Sequence, residues 1–120
     1  MSNKLRIVIE RGGIYRFIEA KRGRTQVGYY ELNFSEDYRT CNGGVLRSKE
    51  SNAGIPRAMI NKAQQEINRI AKRKGSPIRH EERTVTRKGE KLMPHIFQEF
   101  GYRRFRREDG YSTLVKIYRP

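Results

Sequence analysis

The segment from Gly43 to Gly75, GGVLRSKESNAGIPRAMINKAQQEINRIAKRKG, constrains this chain more than any other. Ile60, Ala63, Ile67, Ile70 and Ala71 recur at helical spacing and form one apolar stripe. Pro56 suits the first turn of that helix, Lys72, Arg73 and Lys74 lie in its last turn, and Gly75 is a natural stop before Pro77. Ahead of it, Val45 and Leu46 end an apolar run that passes into a polar loop containing Gly54. Such a strand, loop and helix present unpaired N–H groups and the positive end of a helix dipole at one point. Anions, phosphate among them, are stabilised there.

The remaining elements follow from periodicity. Leu5, Ile7 and Ile9 alternate with polar neighbours in a first strand. Arg11-Gly12-Gly13 turns the chain into a second strand over Ile14–Lys21, and Arg22-Gly23-Arg24 into a third over Thr25–Phe34, both rich in aromatic and β-branched residues. Ser35–Asn42 reads as a loop. Thr40–Arg47 reads as a fourth strand, overlapping the end of that loop and marked by a bulge at Gly43-Gly44. After the basic helix, Ile78–Arg87 is expected as an unusually polar strand. Gly89–Phe100 is expected as a second helix, with Pro94 either near its first turn or bending it, and Gly101 stops it. Tyr102–Arg107 and Tyr111–Tyr118 form a hairpin around Asp109-Gly110. The expectation is one domain over residues 1–120, of α+β class, with a mostly antiparallel mixed sheet of about seven strands and two helices on it.

Lys and Arg number 27 against 13 acidic residues, a formal charge of +14 shared by both halves of the chain. The folded body itself is cationic, which suits nucleic acid, acidic protein surfaces or phosphorylated cofactors, and also suits a merely solvated surface. Cys41 is alone and excludes an intrachain disulfide, pointing to a cytoplasmic setting. His80 and His95 with one cysteine make no structural zinc site. No apolar run approaches a membrane span, and the N-terminal one is too short for a signal peptide.

The element order resembles a trimmed fold of the GNAT superfamily of N-acetyltransferases, without the helices those proteins place between their first two strands. In that superfamily a Gln/Arg-x-x-Gly-x-Gly/Ala loop wraps the pyrophosphate of coenzyme A. Here the aligned residues are Ser51, Asn52, Ala53, Gly54, Ile55 and Pro56. Gly54 matches, whereas Ser51 and Pro56 depart, and Pro56 has no N–H to give. Arg47, Lys49 or Arg57 would compensate electrostatically. The helix end HIFQEFGY (His95–Tyr102) is similar to a second motif, and it puts Phe97 where many members carry a proton-donating tyrosine.

The resemblance implies acetyl transfer from acetyl-CoA to an amine or lysine side chain, in an active enzyme or a degenerate one. Val45 and Leu46 would offer backbone amides to the carbonyl oxygen, and Arg57 would join the loop in holding the cofactor. Glu31 is the first candidate for the base, Glu50 a poorer one, and Tyr102 or His95 would replace the missing acid. Each is also an ordinary surface or core-edge residue in the plainer reading.

A rival reading is a small basic binding protein, of the sort found in phages and mobile elements. Arg103, Arg104, Arg106 and Arg107 around Phe105, together with Lys72, Arg73 and Lys74, would then bind nucleic acid or a nucleoprotein. In an alternating strand, Arg104 and Arg106 would share one face and Arg103, Phe105 and Arg107 the other. The same arginines also suit a charged sheet edge that discourages aggregation. A structural subunit whose aromatic strands pair across an oligomer is a third reading.

Overall fold

The computed structural model describes residues 4–50 and 53–120. Among them the elements run β1 (Leu5–Gly12), β2 (Tyr15–Arg22), β3 (Thr25–Phe34), β4 (Thr40–Ser48), α1 (Gly54–Lys74), β5 (Ile78–Arg83), α2 (Arg87–Glu99), β6 (Arg103–Glu108) and β7 (Tyr111–Tyr118). The strands form one sheet in the order β1-β2-β3-β4-β5-β7-β6, antiparallel except for the parallel pair β4–β5. The α+β class and the seven strands with two helices are as expected.

The boundaries differ for local reasons. α1 starts at Gly54, two residues before Pro56, and ends as expected on Gly75 in the left-handed conformation. β5 stops at Arg83, not Arg87, because Thr86 leaves the strand to cap α2, its side chain accepting from Gly89 N at 2.9 Å. The cap therefore starts α2 at Arg87 instead of Gly89. Asp109 and Gly110 both adopt positive φ, the geometry a two-residue hairpin turn requires.

Both helices lie on one face of the sheet. α1 buries Ile55, Met59, Ile60, Ala63 and Ile67 against Ile18, Ala20, Tyr30 and Leu32. Its middle is fastened by Glu66, which accepts from Arg11 at 2.8 Å and Arg16 at 2.7 Å on β1 and β2, and from Arg69 at 2.9 Å on its own helix. Burial alone would raise the Glu66 pKa, but hydrogen bonds from Arg11, Arg69 and Arg16 hold it well below the ordinary carboxylate range. The opposite face of the sheet carries no helix among the described residues.

One seam is incomplete. β4 pairs with β5 only over Thr40–Asn42 and Arg79–Glu81, after which the strands part. Two features widen the parting. On the β3 side, Tyr30 pairs with Leu46 and Leu32 with Gly43, so Glu31 alone opposes Gly44 and Val45 in a bulge. On the β5 side, the Glu82 carboxylate lies over Gly43, where a Cβ would stand 1.2 Å from Oε2. Only glycine fits there.

Candidate active site

Beside the parting of β4 and β5 lies a cleft of about 580 Å³ between β3, the end of β4, the start of α1 and the first turns of α2. Leu46, Pro56, Leu92, Met93 and Ile96 supply apolar walls, and Arg47, Lys49 and Lys88 bring cations to the lining. α1 enters with Ala53 as its N-cap, without a side-chain cap, and with no acidic residue in its first turn. This end of the cleft therefore combines a helix dipole with fixed positive charge.

On the helix-free face, Tyr15, Phe17 and Tyr29 form a stacked row with ring centroids 6.4 and 6.5 Å apart. The Tyr29 hydroxyl donates to Glu31 at 2.6 Å, and Glu31 sits against the bulge, its Oε2 3.0 Å from where a Gly44 Cβ would be. Burial first, then Glu31, Glu19 and Glu10, raise the Tyr29 pKa to about 12. Three carboxylates thus surround one aromatic row in a chain that is otherwise strongly basic. A second hollow of about 280 Å³ lies at the parting, lined by Asn42, Gly43, Glu81, Arg83, Arg106 and Thr113.

Under the helices a chain of buried polar groups runs from the parting into the core. Tyr30 donates to Glu82 at 2.7 Å, and His80 Nε2 lies 3.6 Å from the same carboxylate. His80 Nδ1 meets the Tyr102 hydroxyl at 2.5 Å, which meets Tyr118 at 2.5 Å. Gln64 accepts from Tyr118 and from Lys116. Burial raises the Glu82 pKa, opposed by its hydrogen bonds with His80 and Tyr30. No buried side-chain polar atom among the described residues lacks a partner.

No protein-family model matches this sequence, and no curated protein does. Solved structures do. The N-acetyltransferase PaiA of Thermoplasma acidophilum, solved with coenzyme A, superposes at a TM-score of 0.67 with 15% identity, over 87% of this chain and 61% of that one. The spermidine/spermine N-acetyltransferase SpeG of Vibrio cholerae gives 0.62 and 14%, over 87% and 67%. The aminoglycoside 6'-N-acetyltransferase of Enterococcus faecium gives 0.66 and 10%, over 91% and 76%. The chain has the GNAT fold. It spans about three fifths of the length of the Thermoplasma protein.

Within the GNAT fold the expected site residues fall into distinct places. Leu46 and Ala53 line the cleft, and Val45 stands exposed in the bulge. Ser51 and Asn52 lie outside the described residues. Gly54 is the first residue of α1. The Ile55 side chain is core, packed where a Gly28 Cβ would be, so it offers the cleft no side chain. Arg57 is turned to Glu99 of α2 in a two-bonded ion pair at 2.8 Å and does not line the cleft. Glu31 holds the bulge, on the face opposite the helices. Tyr102 precedes β6, is 2% exposed, and reaches the parting only through His80.

The basic residues of the rival reading are also placed. Lys72, Arg73 and Lys74 are exposed at the end of α1, Lys74 above the Tyr38 ring. β6 is an exposed edge strand with a bulge at Phe105, which breaks the expected alternation. Arg104 and Arg107 consequently share a side and both face Glu90, at 3.8 and 3.7 Å. Arg103, Phe105 and Arg106 are left toward the helix-free face, with Arg79 of that face against the Phe105 ring. Among the described residues no group of three His, Cys, Asp or Glu is arranged to hold a metal, and no helix is long and apolar enough to cross a membrane.

Glu82 and His80 are the residues that sequence reasoning missed. Ile78, His80, Glu82 and Thr84 are all buried at period two, so the polar residues themselves trace the inward face of β5. That alternation was the available signal.

Proposed function

We propose that this chain binds acetyl-CoA in the cleft beside the β4–β5 parting and transfers the acetyl group to an amine. The parting of the two parallel strands beside a basic helix entrance carries the reading. Acetyl-CoA supplies an acetyl group activated as a thioester. The lining fits it: Leu46, Leu92, Met93 and Ile96 suit an apolar arm, and Arg47, Lys49 and Lys88 suit phosphates. Backbone amides of Val45 and Leu46, where the bulge interrupts the β3–β4 ladder, face developing negative charge.

The acceptor amine must shed a proton, and Glu31 at the bulge takes it. Phe97 is fully buried and has no proton to give. Burial raises the Glu82 pKa, and this carboxyl at the parting takes the acid's place, with Tyr30 and His80 fixing its orientation. The structurally similar proteins include ones named for spermidine, spermine and aminoglycosides, all amines.

Calorimetry of the full chain with acetyl-CoA tests the reading. Saturable binding is expected, and it should be lost in Leu92→Glu, a substitution at a 45% exposed position that leaves the core intact. No heat at millimolar acetyl-CoA would remove the cofactor from the account.

A further inference from the structure

We infer that the helix-free face of the sheet is the interface of a symmetric dimer, with a second copy of this chain as its occupant. Tyr15, Ile117 and Phe105 stand 47%, 48% and 63% exposed on this face, with Phe17 and Val115 half-buried between them. A sheet of seven strands about 4.8 Å apart and about 25 Å long offers roughly 800 Å², what each partner contributes to a standard protein interface. Sheets pack face to face without any helix between them, so a flat aromatic face can accept another of its kind.

Strand register identifies the occupant. One row crosses the face through Glu10, Phe17 and Glu31 on β1, β2 and β3. Across the parting, Arg83, Thr113 and Arg106 form a second row on β5, β7 and β6. In these rows the carboxylates lie one and three strands from β4 on one side, and the guanidinium groups one and three strands from it on the other. The neighbouring row runs Gly12, Tyr15, Asn33, Asn42, Glu81, Val115 and Arg103.

A two-fold axis lying along β4, in the plane between two such sheets, sets β1 over β6, β2 over β7 and β3 over β5. Glu10 then meets Arg106 of the second copy, and Tyr15 packs on its Val115. Each contact occurs twice. An axis across the strands would instead set carboxylates on carboxylates, a costly arrangement, so charge selects both the occupant and its orientation. The hollow at the parting lies next to this axis, and a second sheet roofs it without filling it. The dimer rests on the sheet face alone and stands whether or not acetyl-CoA binds.

Sedimentation equilibrium of the full chain at physiological salt is the test, with circular dichroism to confirm folding of each variant. The wild type is expected as a monomer–dimer equilibrium, and Ile117→Glu, at an exposed position, as a monomer. Glu10→Arg should weaken the dimer about tenfold or more. Adding Arg106→Glu to Glu10→Arg should recover most of that loss, because the axis brings these two positions together. A wild type that stays monomeric at about 0.1 mM overturns the proposal, that concentration marking an affinity weaker than this area supports. A dimer that ignores Ile117→Glu, or a charge reversal that the second substitution does not recover, overturns it as well.

Discussion

On the side of the sheet that carries α1 and α2, charge is buried only where it is matched. Glu66 collects three arginines, and Glu82 is held by Tyr30 and His80. On the other side, large aromatic rings remain in contact with solvent, and Glu10, Glu19 and Glu31 crowd around Tyr29. The sheet backbone is shared, so the difference lies in what covers it. A covered face must settle every polar group internally, because an unpaired buried charge costs far more than a surface one. An uncovered face is free to keep potential in reserve for a ligand or a partner.

Substitutions break this contrast in graded steps. Glu66→Gln should cost the most, about 3 kcal/mol or more in urea unfolding, since it leaves the buried Arg16 without its counter-charge. The Glu66 pKa is held down in the folded state, so its stabilisation is present above the unfolded carboxylate value near pH 4.3 and is lost as pH falls through the folded value. Wild-type stability should therefore decline below about pH 5, and Glu66→Gln should flatten that decline. A variant that unfolds with unchanged midpoint and unchanged acid sensitivity would mean the three-arginine cluster is not formed.

Gly43→Ala comes next, at about 2 kcal/mol, because its Cβ falls on the Glu82 carboxylate. Thermal unfolding measures it, and a neutral result would displace Glu82 from the parting. Tyr29→Phe, on the uncovered face, should lose only about 1 kcal/mol with its hydrogen bond to Glu31. Its sharper readout is an altered pH–rate profile if Glu31 takes the acceptor proton. Smallest is Phe105→Ser on the β6 edge, expected within about 0.5 kcal/mol of wild type for the unfolding of the monomer at low protein concentration. A large loss there would show that the uncovered face carries core-like packing within one chain.

The elements read most easily from the sequence were those that advertise a period. Alternation gave β1, runs of aromatic and β-branched residues between glycine turns gave β2 and β3, the apolar stripe gave α1, and Asp109-Gly110 gave the final hairpin. β5 was read too long because Thr84, Val85 and Thr86 look strand-like, whereas Thr86 serves the backbone of α2. The site was less legible. Glu31 and the bulge could be read from two glycines, but the chain from Glu82 through His80 to Tyr102 joins residues brought together only by the sheet and the helix end. A polar strand on paper reads as solvent-facing. Here its polar residues point inward because both helices sit on that side.

The claim that the two faces have different tasks is tested most directly by mapping backbone amide shifts of the full chain during titration with coenzyme A. Shifts are expected at Leu46, Gly89, Met93 and the start of α1, while Tyr15, Phe17 and Ile117 stay in place. Shifts confined to the uncovered face, or none at all at millimolar coenzyme A, would contradict it.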